Sequence, residues 1–123
     1  MNLVDSSGWL EYFANDKNAD FFSNPIENTE ELIVSTINLY EVFKKVLQQK
    51  NENAALQAIA LMQQGKIVDV DSSISLHSAR QSVDLKLPMA DSIILTTARA
   101  FDATLWTQDS DFLNIPGVKY IQK

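Results

Sequence analysis

Several acidic residues fall where chemistry at one edge of a sheet would need them. Asp5 directly follows the apolar pair Leu3-Val4, and Glu41 lies in the helical stretch after Leu32-Ile33-Val34. Asp91 stands near the start of the helical stretch leading to Leu105-Trp106-Thr107, and Asp109 and Asp111 come two and four residues beyond Thr107. In open α/β sheets, ligands bind outside the carboxyl ends of strands, where the strand order reverses. The same edge could therefore gather all of these acids. Carboxylates brought that close repel one another unless a cation intervenes. Carboxylates with water are the ligand set of Mg²⁺ or Mn²⁺. The single histidine, His77, cannot make a His-rich zinc site, and the absence of cysteine removes thiolate ligands and a cysteine nucleophile together. Magnesium-type chemistry on phosphate is what remains.

Each acid also has an ordinary reading. Asp5 could be a turn residue ending a strand. Asp91 could be a first-turn acid favoured by the helix dipole. It flanks the apolar stripe of Ala90, Ile94, Ala98 and Phe101, however, whereas Arg99 lies opposite it. An acid at the rim of a buried stripe has something to coordinate, or it costs stability. Glu41 falls opposite the expected core face of its helix and could pair with Lys45 at i+4. Asp109 and Asp111 could be turn formers in a polar loop. His77 reads as an ordinary helix residue, and Trp9, Trp106 and Tyr40 as core or core-edge aromatics. The Lys44-Lys45 pair reads as a solvated face that, beside an acidic site, could touch phosphate. The case rests on the convergence of these signals.

The elements that must position these acids follow from pattern. Leu3-Val4 reads as a first strand, with Ser6 or Ser7 capping a helix that carries Trp9, Leu10, Tyr12 and Phe13; a second short helix spans Ala19 to Ser23 and ends before Pro25. Leu32-Ile33-Val34 is apolar on consecutive positions, as a strand covered on both faces should be. Ser35 or Thr36 then caps a helix to about Gln49, with Leu39, Phe43, Val46 and Leu47 on one face. A helix from about Asn53 to Gln64 closes at Gly65, suited to a left-handed turn. Ile67 to Val70 is a third strand, and Ser72 or Ser73 opens a helix to about Lys86. Pro88 suits the first turn of a helix reaching Phe101. Leu105 to Thr107 and Val118 to Ile121 complete the strands. This βα alternation predicts a parallel sheet with helices on both faces.

Composition bounds the partners. A chain of 123 residues with 46% apolar content fits one domain, residues 1–123, with a continuous core. No stretch approaches the roughly 18–20 apolar residues of a membrane helix, and no signal peptide is evident. With no cysteine, the expectation is a soluble, cytoplasmic protein. The net charge of −6 argues against a broad basic surface for nucleic acid and fits cation binding or a basic partner chain. Arg80, Lys86, Arg99, Lys44 and Lys45 could still form a local basic rim.

The motifs resemble a known family. Leu3-Val4-Asp5-Ser6-Ser7 followed by Trp9-Leu10 resembles the opening of PIN domains, especially VapC-type toxins. Ser35 to Glu41, Pro88 to Leu95 followed by Ala98, and Thr107-Gln108-Asp109-Ser110-Asp111-Phe112 resemble the second, third and fourth motifs, in order. The resemblance implies a PIN-like three-layer α/β/α sandwich with a central, mostly parallel sheet of four to five strands. It implies a Mg²⁺- or Mn²⁺-dependent endoribonuclease, the toxin of a toxin–antitoxin pair, hydrolysing RNA phosphodiesters with an activated water. The family's acidic positions fall on Asp5, Glu41, Asp91 and Asp109, with Asp5, Asp91 and Asp109 on the metal and Asp111 accessory. Ser6 and Thr107 match polar positions that help hold the site. The resemblance further implies a homodimer and a cognate antitoxin that blocks the groove with a basic side chain.

Three alternatives accompany this reading. A non-toxic RNA-processing nuclease would share the motifs. A non-catalytic PIN-like binding domain is opposed by the intact acid set. A receiver-type phosphoacceptor would use Asp71 after the third strand, but Asp5 is followed by serines rather than by a second acid, and no lysine follows Trp106 where that class needs one.

Overall fold

The apolar runs become strands because both of their faces are covered. The computed structural model describes all residues, Met1–Lys123. In chain order the elements are β1 (Asn2–Val4), α1 (Ser6–Ala14), α2 (Ala19–Glu27), β2 (Leu32–Ser35), α3 (Thr36–Gln49), α4 (Glu52–Met62), β3 (Lys66–Val68), α5 (Ser72–Leu85), α6 (Met89–Ala100), β4 (Thr104–Thr107) and β5 (Val118–Tyr120). Short 3₁₀ turns occupy Thr29–Glu31 and Ser110–Phe112. Successive strand residues point to opposite faces. Leu3, Ile33 and Leu105 enter one core with Ile74, Ile94, Leu95 and Ala98 of α5 and α6. Their neighbours Val4, Val34 and Trp106 enter another with Trp9, Phe22, Val42, Ala58 and Met62 of α1 to α4. The result is the expected α/β/α sandwich.

The sheet order is β3-β2-β1-β4-β5, and every pairing is parallel. The chain builds outward from β1 through β2 to β3, then returns to β4 on the other side of β1. The reversal therefore falls between β1 and β4, where Val4 lies beside Trp106. Residues just beyond these two strands face the crevice that an open α/β sheet offers a ligand.

Several boundaries differ from expectation for physical reasons. Pro25 lies inside α2, two residues before its end. The lost N–H is confined to the last turn, and burial of the ring offsets it. Val70 leaves β3 because its N–H donates to Thr36 Oγ1 at 3.2 Å instead of to a strand. Asp5, rather than Ser6 or Ser7, is the N-cap of α1, and Pro88 caps α6 from just outside it. Gly65 has no left-handed backbone; a Cβ there would come within 3.1 Å of the Leu32 carbonyl, so close approach is its constraint. Gly8 is tighter still, since a Cβ would meet Phe22 ring carbons at 2.6 Å and Val4 Cγ1 at 2.7 Å. That contact lets α1 settle on the sheet directly behind Asp5.

The face of α3 differs in part. Asn38 and Val42 are its buried residues, while Leu47 is 44% exposed. The expected Leu39 and Val46 are partly buried and pack against the core beside Asn38 and Val42, while Leu47 lies outside it. Tyr40, expected at the core edge, is 60% exposed, with Lys44 Nζ 5.7 Å from its ring centroid.

Candidate metal centre

The backbone of Asp5 starts α1 and leaves its side chain for other work. Its N–H donates to the Trp106 carbonyl of β4 at 2.9 Å, and its carbonyl accepts from Gly8 and Trp9 at 2.9 and 3.2 Å. The carboxylate makes no capping bond. It is buried, and its Oδ2 accepts from Ser7 Oγ and Thr107 Oγ1, each at 2.8 Å. Thr107 Oγ1 also accepts the Asp109 N–H at 2.9 Å. One hydroxyl therefore ties the acid after β1 to the acid after β4. Burial pushes the Asp5 carboxyl up to about 6, the hydroxyl bonds oppose the rise, and the charge of Asp109 adds to it.

Carboxylate oxygens of Asp91, Asp109 and Asp111 lie within 4.8 Å of one another. Asp91 comes from the first turn of α6, and Asp109 caps the 3₁₀ turn after β4 by accepting the Asp111 N–H on Oδ1 at 2.9 Å. Although a helix N-terminus favours an anion, the Asp91 carboxyl is pushed up to about 8. Burial is the largest cause, followed by the charges of Asp109 and Asp5 and then by a hydrogen bond with Asp111 and its charge. Such crowding is stable with a proton in the cluster or with a cation there.

Glu41 joins the site from α3. Its Oε1 accepts from Ser6 Oγ at 2.7 Å. Ser6 Oγ accepts from Asn38 Nδ2 at 2.9 Å, and Asn38 Oδ1 accepts the Ser35 N–H at 3.1 Å. The expected Glu41–Lys45 pair does not form; the only ion pair joins the N-terminal ammonium to Glu31 at 3.4 Å. Sequence reasoning missed Asn38, since a buried asparagine carries no hydrophobic signal. The Ser-x-x-Asn spacing of a capping box could have flagged it.

The predicted acids thus gather beyond β1 and β4. Asp91, Asp109 and Asp111 form the tight group, Asp5 is coupled to it by charge and through Thr107, and Glu41 is held at Ser6. The donors are all carboxylate oxygens, which suit a hard divalent cation such as Mg²⁺ or Mn²⁺. His77 sits apart, exposed on α5 with Nδ1 2.8 Å from the Ser73 carbonyl. Lys44 and Lys45 are exposed on α3. Arg99 lies about 12 Å further along α6 than Asp91 and donates to Gln81 of α5 at 3.3 Å. Asp71 is spent on the N-terminus of α5, where Oδ1 accepts the Ile74 N–H at 2.9 Å. Together with a strand order unlike the 2-1-3-4-5 of receiver-type folds, this removes the phosphoacceptor alternative.

A strand-order reversal ringed by carboxylates from β1, α3, α6 and the loop after β4 defines a class. The PIN domain family matches residues 3–118, and the chain belongs to that family. Ribonuclease VapC4 of Mycobacterium tuberculosis is 31% identical over 96 residues, covering 72% of this chain and 74% of that protein. A toxin–antitoxin complex from Klebsiella pneumoniae superposes with a TM-score of 0.81 at 24% identity, covering 97% of this chain and 96% of that one. VapBC2 from Rickettsia felis, bound to a DNA fragment from its promoter, superposes with a TM-score of 0.75 at 16% identity, covering 98% and 97%. These two structural likenesses bear on the fold.

Proposed function

We propose that residues 1–123 act as one PIN domain: a VapC-type, Mg²⁺- or Mn²⁺-dependent endoribonuclease, the toxin of a toxin–antitoxin pair. The observation that carries this reading is the group of Asp91, Asp109 and Asp111, whose oxygens lie within 4.8 Å of one another beside the buried Asp5. Asp5, Asp91 and Asp109 hold the cation, with Asp111 and Glu41 completing the acidic pocket. When bound, the cation supplies activation of a water and neutralisation of charge on the phosphate. The chain's own contributions are positional. Thr107 fixes Asp5 against the Asp109 loop, Ser6 fixes Glu41, and Asp91, pushed up to about 8, holds a proton near neutral pH, whereas a bound cation would favour its ionised form. Lys44 and Lys45 are the candidate phosphate contacts.

The similarity to VapC4 and to toxin–antitoxin complexes supports an antitoxin partner. A groove of about 300 Å³ between α1, α3 and α4 is lined by Leu10, Phe13, Val46 and Leu61, with Lys45 and Lys50 beside it. It suits an apolar segment of that partner, and a basic side chain of the partner would complement the carboxylates. A homodimer is supported by the exposed apolar residues Leu76 and Val83 of α5 and Met89 of α6.

The test is RNA cleavage by the purified protein after chelation, with and without added Mg²⁺. Activity is expected only with the cation, and Asp91→Asn is expected to lower it at least about 100-fold with the fold intact. Undiminished cleavage by the chelated protein, or by folded Asp91→Asn, sinks the proposal.

A further inference from the structure

Gln108 lies between Thr107 and Asp109, and its side chain turns away from the carboxylates into the protein. It is 6% exposed. Its Nε2 donates to Glu11 Oε1 at 3.3 Å and to the Ser7 carbonyl at 3.4 Å, and its Oε1 accepts from Asn18 Nδ2 at 2.9 Å. Asn18, 5% exposed, donates its own N–H to Glu11 Oε2 at 2.8 Å. Its Nδ2 also donates to the Gln122 carbonyl at 3.1 Å. Gln108, Glu11 and Asn18 thus close a ring of hydrogen bonds on the far side of the loop that carries Asp109.

We infer that this ring is a positioning device: it sets the spacing between the start of α1, which carries Asp5 and Ser7, and the Asp109 loop. Nothing covalent relates these two segments. On the site side the Asp5 N–H is held by the Trp106 carbonyl at 2.9 Å, and the Thr107 hydroxyl, bridging Asp5 and the Asp109 N–H, carries the connection on to Asp109. Those bonds hold the end of β4, and the ring behind the loop adds a tie at Gln108, the residue next to Asp109. Burying two amides against a carboxylate is a costly way to gain stability alone, because an apolar contact of the same volume does as well. A paired polar ring instead fixes one geometry, and a cation site held by carboxylates depends on placement to within about 0.5 Å. Gln108, Glu11 and Asn18 touch neither substrate nor cation; they act through Ser7 and Asp109.

This inference rests on the divalent-cation reading above, and its test separates the two. Mn²⁺ is titrated calorimetrically into the metal-free protein at pH 8, and melting is followed in chelator. Gln108→Met keeps the volume and removes the amide; Gln108→Glu sets a second carboxylate against Glu11. Each is expected to weaken Mn²⁺ binding about tenfold, the scale found when groups supporting metal ligands are removed. The exchange Glu11→Gln with Gln108→Glu restores a donor facing an acceptor at each bond among the three residues but leaves the Ser7 carbonyl without its donor, and is expected to recover part of the lost affinity, to within about threefold of the parent. If the folded single variants melt lower but bind Mn²⁺ as the parent does, the ring is structural support and the inference is overturned while the cation site stands. Failure of the exchange to restore affinity overturns it equally. A parent protein that binds no Mn²⁺ removes both.

Discussion

Burial raises the carboxyls of Asp5 and Asp91 by different amounts, and stability should register both. The Asp5 carboxyl rises from 3.8 to about 6 through burial, and Asp91 rises to about 8 through burial and the neighbouring acids. Well below the unfolded value of 3.8, each is protonated in folded and unfolded chains alike and costs nothing. As the pH climbs, the unfolded chain ionises first, so stability is lost through about pH 6 on account of Asp5 and through about pH 8 on account of Asp91. For Asp5 the loss is worth roughly 3 kcal/mol. The metal-free protein is therefore expected to melt progressively lower between about pH 5 and 8. Asp5→Asn should remove the acid part of that slope, and Mg²⁺ should restore most of the loss at pH 8. Melting curves with no pH dependence across this range would contradict the assignment. The acids themselves were legible in the sequence, because Asp5 directly follows one apolar run and Asp109 comes two residues after the strand Leu105-Trp106-Thr107. For Glu41 the spacing alone favoured a pair with Lys45, because the Ser6 hydroxyl that it accepts from lies 35 positions away in sequence. Gln108 and Asn18 were illegible for a related reason: each is polar, and their hydrogen bond spans 90 positions of sequence.

Helices and strands were readable wherever apolar residues ran consecutively or at helical spacing. They were misread where one hydrogen bond or one ring decided the matter, as at Val70 and Pro25. Glycine illustrates the limit. Gly8 and Gly65 look alike in sequence, yet both are required by the atoms that surround them, in β1 and α2 for one and in β2 for the other. The outer face of α5 shows the converse case, a pattern with no partner inside the chain. Leu76 is 74% exposed and Val83 78%, one above the other at i and i+7, and Met89 is 70% exposed where α6 begins. Large apolar side chains left together in water favour a covering partner. With a second copy in that role, the parent protein should show twice the mass of one chain by light scattering at micromolar concentration, and Leu76→Asp should shift it to one. A parent that is monomeric at those concentrations rules this face out as a homodimer contact.

At the scale of the molecule, topology explains how acids scattered from residue 5 to residue 111 meet. The chain leaves β1 in one direction for β2 and β3, and re-enters on its other side as β4. Asp5 and Asp109 therefore flank a single crevice, and α6, which leads into β4, delivers Asp91 from its first turn. Much of a net charge of −6 is concentrated in this way at one edge. A cation there offsets part of the repulsion that an RNA phosphate would otherwise meet. The central claim is a shared divalent cation, and anomalous scattering from crystals grown with Mn²⁺ tests it most directly. The account predicts a peak among the carboxylates of Asp5, Asp91 and Asp109, about 2.1–2.3 Å from the oxygens that bind it. A peak elsewhere on the molecule, with none in that crevice, would contradict it.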